Sequence, residues 1–303
     1  MKIICVIVTY NRQELLAQVL EAVVGQTLKP DEIIVINNNS ADGTAEYLAG
    51  IESALPNLYQ IALKGNEGGA GGFYHGIKQA YERKADWIWV MDDDAIPQPD
   101  ALEALIESEV FKYYNSRMQE ALGFLASRVD WKNGYICNMN IPNVARDWNE
   151  LHRKFPCCTK VKSASFVSIL INREAVKRVG YPIKEFFIWF DDVEYTRRIA
   201  KQMSAYYIPR SVAVHHTEMN LQPMDLENLD NNNLWKYKYG IRNEVATLCN
   251  EELGYVRGLL FIAAKMYGMF RCKKSISIII PMLSAGLRGL FFRYVKLIEF
   301  PNN

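Results

Sequence analysis

Residues 2–10, KIICVIVTY, form an unbroken apolar run rich in β-branched side chains, the pattern of a strand covered on both faces. In the following RQELLAQVLEAVVGQ, apolar residues recur at helical spacing, and Gly25 lies near the end. The alternation then repeats. DEIIVINNN (31–39) predicts a second strand, and SADGTAEYLAGI a helix that Ser40 or Asp42 can cap. NLYQIALKG (57–65) predicts a third strand, followed by a glycine-rich turn and helix in GGAGGFYHGIKQAYERK. DWIWVMDD predicts a fourth strand and QPDALEALIES another helix. Strand and helix alternate through residue 110, which gives an α/β class with a parallel sheet.

After residue 120 the rhythm changes. LGFLASRVD, GYICNM and SASFVSILINREAV read as mixed strands and loops. FFIWFDDVEYTRRIAKQ reads as a loop entering a helix, and SAYYIPRSVAVHHTE holds a strand over 205–214 that ends on two histidines. Beyond residue 233 the pattern is helical. The expected organisation is one α/β domain over 1–250, divided near residue 120, and a helical tail over 251–303.

A chain of 303 residues has ample length for a buried core, and its 50% apolar and 23% charged residues are ordinary globular composition. The net charge of +1 gives no bulk reason to expect nucleic acid as a partner. The total hides an asymmetry. From Leu253 to Ile298 there is no acid, but there are eight cations: Arg257, Lys265, Arg271, Lys273, Lys274, Arg288, Arg293 and Lys296. The six cysteines form no C-x-x-C pair, which points to free thiols in a reducing compartment. The N-terminal strand lacks the pattern of a signal peptide. No run of about 18 uncharged apolar residues suits a membrane span; SISIIIPMLSAGL is short and broken by Pro281.

Four strand ends are polar: TYNR, NNNSADG, KGNEGGAGG and DDD. In open α/β sheets ligands gather at the carboxyl ends of strands, so this convergence points to a site. The glycines of NEGGAGG (66–72) let backbone N–H groups approach a ligand at a helix N-terminus, or simply form a turn. The Asp92-Asp93-Asp94 trio either caps a helix or holds a divalent cation, with Asp92 and Asp94 around one ion. In WFDDVE the acids suit a helix's first turn, yet the aromatics of FFIWF would desolvate them, which suits a general base. His215 and His216 end a strand and face opposite ways, so at most one joins a given site.

From VTYNR to YKYGIRN, residues 8–243, the order of motifs resembles the inverting nucleotide-sugar glycosyltransferases of family 2, with a GT-A fold. NEGGAGGF, WVMDDDAIP, WFDDVEYTRR and AVHHTE together are similar to the branch with bacterial galactofuranosyltransferases and some rhamnosyltransferases. The resemblance implies a nucleotide-binding half over 1–120 and an acceptor half over 121–250. It implies that Thr9, Tyr10, Arg12, Asn38, Asn66, Gly68 and Gly69 line the nucleotide pocket, with Asp93 on the ribose or sugar. It implies Mn²⁺ or Mg²⁺ held by Asp92, Asp94 and His216, with His215 pointing elsewhere. Asp192 matches the catalytic base and Asp191 would orient the acceptor hydroxyl. Asn38 stands where many relatives carry an aspartate that contacts the nucleoside, a departure that leaves the donor's base open between uracil and thymine. YGIRN, Tyr239 to Asn243, matches a motif without an assigned role.

The expected reaction is transfer of galactofuranose from UDP-galactofuranose to a cell-envelope glycan such as O-antigen or capsule. Rhamnosyl transfer from dTDP-rhamnose is the alternative. A nucleotidyltransferase would carry a basic glycine-rich loop near the N-terminus, which VTYNRQELL lacks, and a non-catalytic scaffold would have lost Asp192 or part of the trio. The tail over 253–298 reads as a membrane-surface or oligomer-forming element. That fits a lipid-linked acceptor and a peripheral location on the inner face of the cytoplasmic membrane.

Overall fold

The computed structural model describes residues 1–116, 121–145, 155, 157–250 and 254–302. The chain order opens β1 (Ile3–Thr9), α1 (Gln13–Val24), β2 (Glu32–Asn37), α2 (Thr44–Ile51), β3 (Leu58–Ala62), α3 (Gly68–Glu82) and β4 (Trp87–Asp92). It continues through β5 (Ala95–Pro97), α4 (Ala101–Ile106), α5 (Glu109–Asn115), β6 (Leu122–Trp131), β7 (Asn143–Val144), β8 (Thr159–Ser163) and β9 (Ile169–Asn172). Then come α6 (Arg173–Val179), α7 (Asp191–Ala200), β10 (Ser204–His215), α8 (Leu234–Cys249), α9 (Gly254–Arg271) and α10 (Ile276–Phe291).

The unbroken apolar runs are explained by the two cores they feed. In β1, Ile3, Cys5 and Ile7 enter one core with Leu16, Val19 and Val23 of α1. Ile4, Val6 and Val8 enter the other with Phe73 and Ile77 of α3. β4 divides the same way, Trp87, Trp89 and Met91 against Ile88 and Val90. A strand with helices on both faces has no solvent side, so its two-residue alternation carries no polar positions.

The strand path is β3-β2-β1-β4-β9-β6-β10-β8-β7, with β5 paired to β10. The first four strands are parallel. β9 enters antiparallel between β4 and β6, and β10 runs parallel to β6. From β1 the chain winds outward to β3, then crosses to β4 on the other side. The crevice at that reversal lies over the carboxyl ends of β1 and β4, where ligands bind in open sheets.

The C-terminal helices form a third core. Ile241 and Val245 of α8 pack with Ile262 of α9 and Met282 and Leu290 of α10. Among the described residues no helix is long and apolar enough to cross a membrane.

Candidate active site

The register sets Val8 of β1 beside Asp92 of β4 and Thr9 beside Asn37 of β2. The polar ends of three strands therefore share one rim. Beyond Asp92 the chain turns through Asp93 and Asp94 into β5. Both turn carboxylates are buried, 4% and 3% exposed, and Asp92 is half-buried. The Tyr10 N–H donates to Asp93 Oδ2 at 3.1 Å, and Arg12 Nη1 donates to Asp93 Oδ1 at 3.2 Å. The same guanidinium pairs with Asp94. Thr9 is buried behind them, whereas Tyr10 is exposed.

Burial pushes the Asp92 carboxyl up to about 8, with the charge of Asp94 adding to the effect. Burial likewise raises Asp93 to about 6, against the pull of Arg12. Burial would raise Asp94 too, but its hydrogen bond with His215 and the charge of Arg12 hold it below the usual range. His215 is the partner of that bond. Burial disfavours its cation, yet the bonds with Asp94 and Cys137 carry it up to about 10.

His215 Nε2 lies 3.0 Å from Asp94 Oδ1, and Nδ1 lies 2.8 Å from Asn140 Oδ1. An Nδ1–H donated to Asn140 directs Nε2 at the carboxylates, the arrangement that commonly orients a metal-binding imidazole. Ligand atoms of Asp92, Asp94 and His215 all lie within 4.8 Å of one another. Among the described residues none donates a hydrogen bond to the Asp92 carboxylate. An under-neutralised acid beside a second carboxylate and an imidazole fits a divalent cation of the Mg²⁺ or Mn²⁺ class.

This corrects the expectation for the paired histidines. The imidazole at the acidic turn belongs to His215, and His216 lies outside the group. The reason is register. Antiparallel pairing sets His215 of β10 against Ala95 of β5, next to the turn. His216 meets the turn through its backbone, its N–H donating to Asp94 O at 2.8 Å.

The glycine-rich loop is also built differently from its sequence reading. Gly68 has φ +72, and a Cβ there would collide with the carbonyl oxygen of Phe187. At Gly72 and Gly76 a Cβ would strike Val8 and Val6 of β1. These glycines let α3 lie directly on the sheet and on the chain before α7. Gly69 is the one of the pair 68–69 with open space, its nearest neighbour being Phe73 Cε2 at 4.0 Å. Asn38 and Asn66 shape the same loop. Asn38 Nδ2 donates to Asn66 Oδ1 at 3.1 Å and to Gly68 O at 2.9 Å, and the Glu67 N–H donates to Asn38 Oδ1 at 2.8 Å. The amide of Asn38 thus holds the loop.

The second acidic corner opens α7. Asp191 is buried and Asp192 half-buried at the helix N-terminus. Burial and the charge of Asp192 raise Asp191 well above the carboxylate range. Burial raises Asp192 to about 6, while N–H groups of Val193 and Phe166 hold it lower than its neighbour. The charge of Asp92 also acts on Asp191, so the two acidic corners are electrostatic neighbours. An acidic turn that fits a cation, with a second pair of carboxylates near it, is the kind of arrangement that can activate a hydroxyl against a diphosphate ester.

Residues 4–114 match the family described as Glycosyl transferase family 2. The galactofuranosyltransferase GlfT1 of Mycolicibacterium smegmatis is 29% identical over 216 residues, 66% of each chain. GlfT1 of Mycobacterium tuberculosis is 34% identical over 213 residues, 66% of this chain and 64% of that protein. Over residues 4–114 the chain carries a glycosyl transferase family 2 region, and beyond it the chain resembles galactofuranosyltransferases. The match spans slightly under two thirds of the length of these relatives. Among solved structures, S. aureus TarS 1-349 superposes with a TM-score of 0.60 at 15% identity, covering 98% of this chain and 83% of TarS 1-349. The GT-A fold expected from the motifs is therefore present: a sheet parallel through its first half, flanked by helices, with a C-terminal helical extension.

Asn140, the partner of His215 Nδ1, escaped sequence reasoning. YGIRN was visible as a motif without a role, whereas Asn140 carries no local signal at all.

Proposed function

We propose that the protein is a metal-dependent inverting glycosyltransferase that moves galactofuranose from UDP-galactofuranose onto a cell-envelope glycan. The observation that supports this reading best is the grouping of Asp92, Asp94 and His215, with the charge of Asp92 felt at Asp191. The likeness to GlfT1 supports the choice of sugar. Asp92, Asp94 and His215 would hold Mn²⁺ or Mg²⁺, which supplies charge neutralisation to a departing diphosphate. Arg12 is a second positive group at the same place, paired with Asp93 and Asp94. Asp192 takes the proton of the acceptor hydroxyl. The hydroxyl oxygen bonds to the anomeric carbon, the carbon–phosphate oxygen bond breaks, and its electron pair leaves with UDP. One displacement inverts the centre, and Asp191 keeps its proton to orient the acceptor.

We further propose a lipid-linked acceptor met at an anionic membrane surface. In α10, Ile276, Ile280, Leu283, Leu287 and Phe291 are exposed at a spacing of three or four residues. That is a second apolar stripe, opposite the one buried on α8. Val256, Leu260, Tyr267 and Phe270 of α9 are likewise exposed. Arg271, Lys273, Arg288 and Lys296 are exposed around them. A bare apolar surface flanked by cations and free of acids suits lipid with anionic headgroups. Lys274 is committed elsewhere, donating to Glu227 O at 2.9 Å and Leu229 O at 2.7 Å.

The test is a screen of UDP- and dTDP-sugars for nucleoside diphosphate release with Mn²⁺, Mg²⁺ or EDTA. Release from UDP-galactofuranose, dependent on metal, is expected. Selective use of dTDP-rhamnose would replace the sugar assignment, and metal-independent release would overturn the cation assignment.

A further inference from the structure

The segment before Asp191 is unusual. Phe187, Trp189 and Phe190 have φ values of 66°, 63° and 70°, so three bulky aromatic residues occupy the left-handed region within four positions. Side chains of this kind avoid that region, and a run of them persists only where the surroundings over-determine it. The surroundings here are one face of α8.

Asn243 is fully buried. Its Nδ2 donates to the carbonyls of Phe186 at 2.9 Å, Ile188 at 3.1 Å and Trp189 at 2.8 Å. Its Oδ1 accepts from Arg242 Nε at 2.9 Å and Nη2 at 2.7 Å, which fixes the amide with its nitrogen towards the segment. Arg242 Nη2 also reaches Glu185 O at 2.7 Å and Phe186 O at 3.3 Å. Around this pair, Phe187 stacks on Tyr239 at 4.8 Å, and Trp189 meets Tyr237 edge-on at 5.1 Å. Gly240 makes room for Trp189, since a Cβ there would lie 2.8 Å from its Cε3.

The held segment leads straight into the candidate chemistry. Phe190 O accepts from the Glu194 N–H at 2.9 Å in the first turn of α7, so the segment's final residue sets where Asp191 and Asp192 point. Phe187 O accepts from the Ala70 N–H at 3.1 Å, joining it to the start of α3. Apolar packing of Trp189 and Phe190 against the core of Tyr237, Ile241 and Val245 already attaches α8 here. A buried amide shared among three carbonyls has a narrower use.

We propose that Asn243, oriented by Arg242, is a positioning residue that holds Phe186–Phe190 in the one conformation presenting Asp192 to the acceptor hydroxyl. This assigns the YGIRN motif, and it rests on the reading of Asp192 as the base.

The experiment compares the wild type with Asn243→Ala and Arg242→Gln. Three quantities are read: the Kd of UDP with Mn²⁺ by calorimetry, kcat and KM for UDP release from UDP-galactofuranose, and amide hydrogen exchange by mass spectrometry. Loosened placement of a reacting group costs about 100-fold in rate. The expected result is a kcat lowered about 100-fold with KM and the UDP Kd unchanged, and faster exchange confined to residues 186–193. Unchanged kcat, or a Kd weakened in step with it, overturns the proposal. If the wild type releases no UDP, the donor reading fails by itself, and exchange decides the clamp: equal exchange over 186–193 in variant and wild type overturns it. Should Asn243→Ala fail to fold, Arg242→Gln at its half-buried position carries the same test.

Discussion

Gly68 and Gly69 are adjacent in sequence and opposite in consequence. Replacing Gly68 by alanine forces an L side chain into a left-handed backbone, a cost of about 1–2 kcal/mol. It also drives the new methyl into the Phe187 carbonyl, where overpacking adds about 1–3 kcal/mol. A total on the order of 3 kcal/mol lowers Tm by roughly 6–12 °C in a domain of this size. Because Phe187 cannot keep its place, the displaced segment carries Asp192 with it, and kcat should fall about 100-fold. Gly69→Ala meets nothing closer than 4.0 Å and removes a flexible residue from a helix, which favours folding by about 0.5–1 kcal/mol. Its Tm should hold or rise. Any loss it shows should be in UDP binding, where a methyl would obstruct phosphates lying over the bare backbone. Differential scanning fluorimetry and calorimetry with UDP and Mn²⁺ separate the two effects. Equal melting temperatures for the two variants would refute the packing argument.

Three further outcomes are expected. His215→Ala should weaken Mn²⁺-dependent UDP binding while His216→Ala leaves it intact; the reverse order in titration calorimetry would reject the register argument. UDP release should rise with pH through about 6, because burial raises Asp192 to that value and only its ionised form accepts a proton. Asp192→Asn should abolish turnover while sparing UDP binding, and a pH profile flat across that range sinks the assignment. Phe270→Ser with Phe291→Ser should reduce sedimentation with anionic vesicles and leave kcat on a soluble acceptor unchanged; undiminished sedimentation removes those two side chains from the lipid surface.

Much of the scaffold was legible because β1 and β4 have no solvent face. A strand buried on both sides writes its identity in an unbroken apolar run, and the first polar residue marks where it leaves the sheet. That is why Asp92, Asp93 and Asp94 could be placed at a rim from sequence alone. The choice between His215 and His216 was not legible. It depends on the pairing of β10 with β5, strands more than a hundred residues apart, and a one-residue shift in register exchanges the two imidazoles. The purpose of the glycines was hidden for a similar reason. NEGGAGG shows where side chains are missing, but not that Phe187, Val8 and Val6 fill the space. Asn243 was the hardest to read, since an amide inside a helix looks like any polar helical residue until the carbonyls it gathers are seen.

The hydrogen bond from Ala70 to Phe187 stitches the start of α3 to the chain that leads into α7. With a glycine pressed against the same carbonyl, that seam cannot part without exposing an aromatic cluster and leaving a peptide oxygen unpaired. In the proposed enzyme, parting at this join would cost a hydrogen bond and the aromatic packing behind it, so spent nucleotide would leave more readily through the mouth of the cleft. On that reading the reacting groups keep their alignment between turnovers.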